Sequence, residues 1–141
     1  MKSSPDHTPP LSSVTVALVG HCGFDGASLQ RLAEQALPGA SVVAVNSQRE
    51  LDAVAHGRSL LLINRVLDGG FDAGDSRAMI AALAEADDPP AMMLVSNYSD
   101  AQADAVAAGA LPGFGKSDMG QPAVAQRLRD AAARLGSGTA S

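Results

Sequence analysis

Residues 59–70 read SLLLINRVLDGG, and this stretch sets the architecture. From Ser59 to Asn64 nothing alternates between polar and apolar. A strand with one wet face alternates, whereas a strand covered on both faces does not, and parallel sheets are covered on both faces. A short apolar run bounded by turn residues is strand-length rather than helix-length. At its tip stands Asn64, followed by Arg65 and a glycine-bearing loop. An asparagine ending so apolar a strand is either a plain strand end or part of a site.

Working outward, the same unit recurs. SVTVALVG (13–20) is a buried strand ending in glycine, and FDGASLQRLAEQALPG places Leu29, Leu32, Ala33, Ala36 and Leu37 at helical spacing before Pro38. SVVAVN (41–46) is a second strand. Ser47 and Glu50 then stand in capping-box spacing ahead of a helix closing at Gly57. DSRAMIAALAEA (75–86) puts Met79, Ala82, Leu83 and Ala86 on one face, with Asp75 as its cap, and AMMLVS (91–96) is a fourth strand. Ser99 and Gln102 suggest another capping box, and Gly109 a C-cap. LPGFGK (111–116) contains Pro112, which cannot donate to a central ladder and belongs at an edge. In QPAVAQRLRDAAARLG (121–136), Pro122 takes a first-turn position, and Val124, Leu128, Ala131, Ala132 and Leu135 form the core face. Five strand–helix pairs in strict alternation predict a doubly wound α/β sandwich with parallel strands.

Bulk properties agree with one domain. The 141 residues are 46% hydrophobic but only 3% aromatic, so aliphatic side chains must fill the core. A net charge of -5 argues against binding a nucleic-acid backbone. Cys22 is the single cysteine, which excludes an internal disulfide and suits a reducing cytoplasm. No apolar run reaches the roughly 18 residues a membrane span needs, and the N-terminus lacks a signal-peptide core. Residues 1–12 read as a flexible arm, 13–135 as the domain and 136–141 as a disordered tail.

In doubly wound sheets, ligands sit beyond the carboxyl ends of the strands. The positions of interest are therefore Gly20 to Asp25, Asn46, Asn64 to Asp75, Ser96 to Ser99 and Lys116 to Asp118. Over residues 13 to 135 the chain resembles the response-regulator receiver domain. The resemblance rests on LLLINRVLDGG, on MMLVSNYSD with its hydroxyl residue Ser96, and on AVAAGALPGFGK, which ends in Lys116. It implies a flavodoxin-like five-stranded sheet of order 2-1-3-4-5. It also implies an acceptor position at Asn64, an acidic pair at Gly20 and His21, and a phosphoryl grip from Ser96 and Lys116.

Against that pattern the chain has lost its carboxylates. Asn64 is a poor nucleophile, and neither Gly20 nor His21 offers the oxygen ligands Mg²⁺ prefers. The expected pocket is near neutral or weakly positive, with no metal and no cofactor. Asp25 and Asp68 are the nearby groups that could restore charge, although Asp25 also suits the N-cap of the first helix and Asp68 the Gly-Gly turn. The family's fifth-strand aromatic falls near Gly113 and Phe114, and KSDMG replaces its usual Lys-Pro.

The reading that follows is a pseudo-receiver. It is a cytoplasmic, non-enzymatic interaction module in a two-component-type pathway, working without aspartyl phosphorylation. Its expected partners are a histidine kinase, a response regulator or another regulator, or a second copy, with neither nucleic acid nor membrane. The resemblance places the docking surface on the fourth helix, fifth strand and fifth helix, through Ala103, Val106, Ala107 and Phe114. The alternative is a small-ligand or anion sensor in which Asn64, Ser96, Lys116 and helix-start N–H groups hold a phosphate or carboxylate. A cobalamin variant is similar in FDGASL but lacks the ligating histidine. An enzyme built on Cys22 and His21 has only position in its favour, because adjacent residues on extended chain point apart. Cys22 is read as a packing residue, DGGFDAGDSR (68–77) as a loop capped by Asp75, and Arg127, Arg129 and Arg134 as solvated or as partner surface.

Overall fold

A computed structural model describes residues 13–67 and 69–135. The expected arm, the expected tail and Asp68 lie outside the described residues. Five parallel strands form one sheet of order β2-β1-β3-β4-β5. The strands are β1 (Thr15–Val19), β2 (Ser41–Val45), β3 (Ser59–Asn64), β4 (Ala91–Val95) and β5 (Leu111–Phe114). The helices are α1 (Gly23–Ala36), α2 (Gln48–Val54), α3 (Ser76–Ala84), α4 (Ser99–Ala108) and α5 (Pro122–Ala133). The alternation of elements predicts the doubly wound parallel sheet, and the receiver resemblance implies this flavodoxin-like strand order.

All six residues of β3 are buried. Leu60 and Leu62 pack with α1 and α5, while Leu61 and Ile63 face Met79, Ile80 and Ala105 of α3 and α4. The strand still has a period of two, but both faces meet apolar helices, so the alternation vanishes from the sequence. Each such leucine stabilises the fold by about 1.5–3 kcal/mol. The expected core stripes of α1 and α5 are all buried. In α3 the buried face is instead Ser76, Met79 and Ile80, and the helix stops at Ala84. Ala82 lies on the solvent side of the helix and Ala86 beyond its end, and both are exposed.

Side-chain caps open two of the five helices, α2 and α3. Ser47 Oγ accepts from the Glu50 amide, and Asp75 Oδ1 from the Ala78 amide. Glu50 reaches back to the Asn46 amide rather than to Ser47. The expected box at Ser99 and Gln102 does not form: Tyr98 is the N-cap, Ser99 is already helical, and the Gln102 side chain turns inward. β5 is an edge strand, as Pro112 requires, and its register with β4 shifts between Met93 and Val95. That irregularity absorbs a residue with no N–H to give.

Candidate functional site

The carboxyl ends of β3, β4 and β5 enclose a depression of about 340 Å³ lined in part by Asn64, Arg65, Ser96, Tyr98 and Lys116. Three of the expected residues, Asn64, Ser96 and Lys116, therefore share one pocket. Gly20 joins it from behind. It adopts φ 74, in the left-handed region that glycine enters freely, and its carbonyl accepts from Asn64 Nδ2 at 3.1 Å. The same nitrogen donates to the Val66 carbonyl at 2.7 Å.

The other polar groups are also engaged. Lys116 Nζ donates to Asp25 Oδ2 at 2.8 Å, tying the end of β5 to the first turn of α1. Asp25 is thus the lysine's counter-ion and not a helix cap; Cys22 holds the N-cap position without a side-chain bond. The Lys116 hydrogen bond is the main reason the Asp25 carboxyl titrates below its ordinary value. Ser96, buried, accepts through Oγ from the Tyr98 amide at 3.1 Å. Asn97 Oδ1 accepts from both the amide and the hydroxyl of Ser117, anchoring the turn after β5.

His21 is 7% exposed, and its Nε2 lies 2.8 Å from the Leu62 carbonyl. A carbonyl only accepts, so Nε2 carries the proton. Nδ1 is buried without a hydrogen-bond partner. Burial lowers the His21 pKa first, partly countered by the Leu62 bond, with Lys116 lowering it further and Asp25 raising it. Below the ordinary value near 6.5 the unfolded chain takes a proton that the folded His21 refuses, so folding stability falls as pH drops through that window. Urea midpoints of the wild type should decline between about pH 7 and 5, and His21→Gln should flatten that decline. An unchanged slope in the variant would show that His21 does not carry it.

Two expectations are overturned here. Phe114 is 3% exposed and packs into the core on the α1 and α5 side, so it is no part of a docking surface. A short edge strand still has one inward face, and Phe114 occupies it. Cys22 is exposed rather than packed, because the chain leaves the sheet after β1 and α1 begins at Gly23. Ala103, Val106 and Ala107 do lie on the exposed side of α4, with Val106 44% exposed. Arg127 is not merely solvated, since it donates to the Gly113 carbonyl.

Two features carry no signal in the sequence. Arg65 stacks 4.8 Å above the Tyr98 ring at the pocket rim. Gln102 Nε2 donates among the carbonyls of Leu94, Ser96 and Phe114 at 2.9, 3.1 and 3.2 Å, while its Oε1 accepts from the Gly113 amide.

No family model and no curated protein matches the chain. Solved structures match its fold. The signal receiver domain of a DNA-binding response regulator from Colwellia psychrerythraea 34H aligns with TM-score 0.64 and 13% identity, over 83% of this chain and 96% of that one. A response regulator from Colwellia psychrerythraea aligns with TM-score 0.57 and 16% identity, over 87% and 99%. A response-regulator receiver domain from Rhodospirillum rubrum aligns with TM-score 0.58 and 12% identity, over 85% and 92%. At such identities the likeness is one of fold.

The receiver resemblance implies a divalent cation beyond β1 and β3, and the described residues do not fit one. Among the described residues no three His, Cys, Asp or Glu side chains converge. The two backbone oxygens nearest Asn64 already accept from its amide. A hard cation takes six or more oxygen ligands, usually carboxylates among them. Among the described residues no helix is long and apolar enough to cross a membrane.

Proposed function

We propose that this chain is a pseudo-receiver. It is a non-enzymatic interaction module on a receiver fold, acting in a two-component-type pathway in the cytoplasm without phosphorylation of an aspartate. The observation that carries this reading is Asn64. It stands at the carboxyl end of β3, where its side chain offers a neutral amide bonded to two carbonyls in place of a nucleophilic carboxylate. Ser96 and Lys116 line the same pocket, which supports descent of the pocket from a phosphoryl-binding one. The solved structures that share the fold are response regulators, which supports a signalling partner such as a histidine kinase, a response regulator or another regulator, or a second copy. Ala103, Val106 and Ala107 on the exposed side of α4 are the proposed docking residues. The anion-sensor alternative is weakened by the 2.8 Å ion pair that occupies Lys116.

Incubation with acetyl phosphate and Mg²⁺ followed by intact-mass measurement tests the reading. The expected spectrum shows no phosphoryl adduct, and a stoichiometric adduct would end the proposal. A phosphate titration followed by NMR addresses the alternative, which requires saturable shifts at Ser96 and Lys116.

A further inference from the structure

The hydrogen bonds of Asn64 say more than that a nucleophile is missing. Its side chain is buried, at 9% exposure, and its Nδ2 sits between the carbonyl oxygens of Gly20 and Val66. Both neighbours are acceptors only, so the nitrogen and not the oxygen must face them. The two N–H bonds match two acceptors on two different loops. Gly20 belongs to the connection from β1 to α1, and Val66 to the connection from β3 to α3. A carboxylate in the same place would turn an oxygen toward two other oxygens, a cluster that only a proton or a cation can hold together.

We propose that the Asn64 amide is a built-in replacement for a divalent cation, bolting the β1–α1 loop to the β3–α3 loop and holding the pocket permanently in one state. The neighbouring groups fit this role. Lys116 is tied to Asp25, and the Ser96 hydroxyl accepts from the Tyr98 amide. The Lys116 ammonium and the Ser96 hydroxyl oxygen each already have an intramolecular partner. The module therefore presents a single, constitutive docking face, and its regulation lies in partner availability instead of chemistry at the pocket. The inference rests on the pseudo-receiver reading only in taking Mg²⁺ as the probe.

The test uses the wild type, Asn64→Asp and Asn64→Ala. In the wild type, NMR should show slowly exchanging Asn64 side-chain NH₂ protons, and millimolar Mg²⁺ should leave the melting temperature and the Gly20 and Val66 shifts unchanged. Asn64→Asp should melt about 5 °C or more lower without a cation and regain much of that loss with Mg²⁺. Asn64→Ala should lose stability without any Mg²⁺ rescue. Fast-exchanging NH₂ protons, a wild type that responds to Mg²⁺, or an Asn64→Asp variant indifferent to Mg²⁺ would each overturn the inference. The wild-type proton exchange needs no variant to fold. None of these outcomes bears on phosphoryl transfer, which the mass measurement decides separately.

Discussion

Replacing Gln102 with leucine should lower the unfolding free energy by about 2–4 kcal/mol, because it strands several backbone groups at once. The amide of Gln102 is part-buried between α4 and the ends of β4 and β5. It donates to the carbonyls of Leu94, Ser96 and Phe114 and accepts from the Gly113 amide. A single side chain thus serves four main-chain groups on two strands. Leucine fills a similar volume but offers no polar atom, so the cost is lost hydrogen bonding rather than a cavity. Gln102→Glu sharpens the point. It keeps an acceptor for Gly113 but sets carboxylate oxygen against three carbonyls, so it should be more harmful at neutral pH than at acid pH, where the carboxyl can donate. Urea denaturation with an unchanged m-value reads the loss, and a change below about 1 kcal/mol in Gln102→Leu would refute this account. Hydrogen exchange should place the damage in α4 and β5 and leave β1 and β3 protected.

Gln102 also marks where reading a sequence stops. Three residues after Ser99, near a helix start, it has the spacing of a local cap, and only the folded chain shows that it bonds strands instead. The elements themselves are legible because their causes are local or periodic. β3 lacks alternation since both its faces meet helices, Asp75 caps α3 from one residue away, and Pro112 marks an edge by its missing N–H. The strand order is legible only through the receiver resemblance of the strand ends, since alternation alone fixes parallel strands but not their order. The site is only half legible. Its members could be named because ligands gather beyond the carboxyl ends of parallel strands. Their pairing could not. Lys116 and Asp25 are 91 residues apart, and nothing in either segment specifies the other. The inward orientation of Phe114 is illegible for a related reason, since four residues of edge strand do not reveal which side faces in. The exposure of Cys22 is equally illegible, because burial continues past the end of β1 through Gly20 and His21 and stops only where α1 begins.

The other large effect is expected at Gly113, where alanine should cost about 2–4 kcal/mol through overpacking. No unusual backbone angle is involved; the reason is space. A Cβ at this position meets the Leu94 carbonyl oxygen, the Leu94 carbonyl carbon at 3.0 Å and Gln102 Oε1 at 2.9 Å. The first two atoms belong to β4, which is clamped between β3 and β5 and cannot retreat. Relief must come from β5, which has no neighbour on its far side. As β5 lifts, the bond from the Ser96 amide to the Phe114 carbonyl lengthens, and Lys116 is drawn away from Asp25. A packing fault at an edge strand thereby becomes a fault in the pocket. The melting temperature should fall by about 5 °C or more, and NMR should show shifts at Ser96, Asp25 and Lys116 alongside those of β5. Because the Gln102 amide and the Gly113 Cβ compete for the same space, the two substitutions share a neighbour and should not add. Gly113→Ala combined with Gln102→Ala should cost less than the sum of the two single losses. Strict additivity would mean that Leu94 alone sets the cost at Gly113 and that Gln102 yields freely.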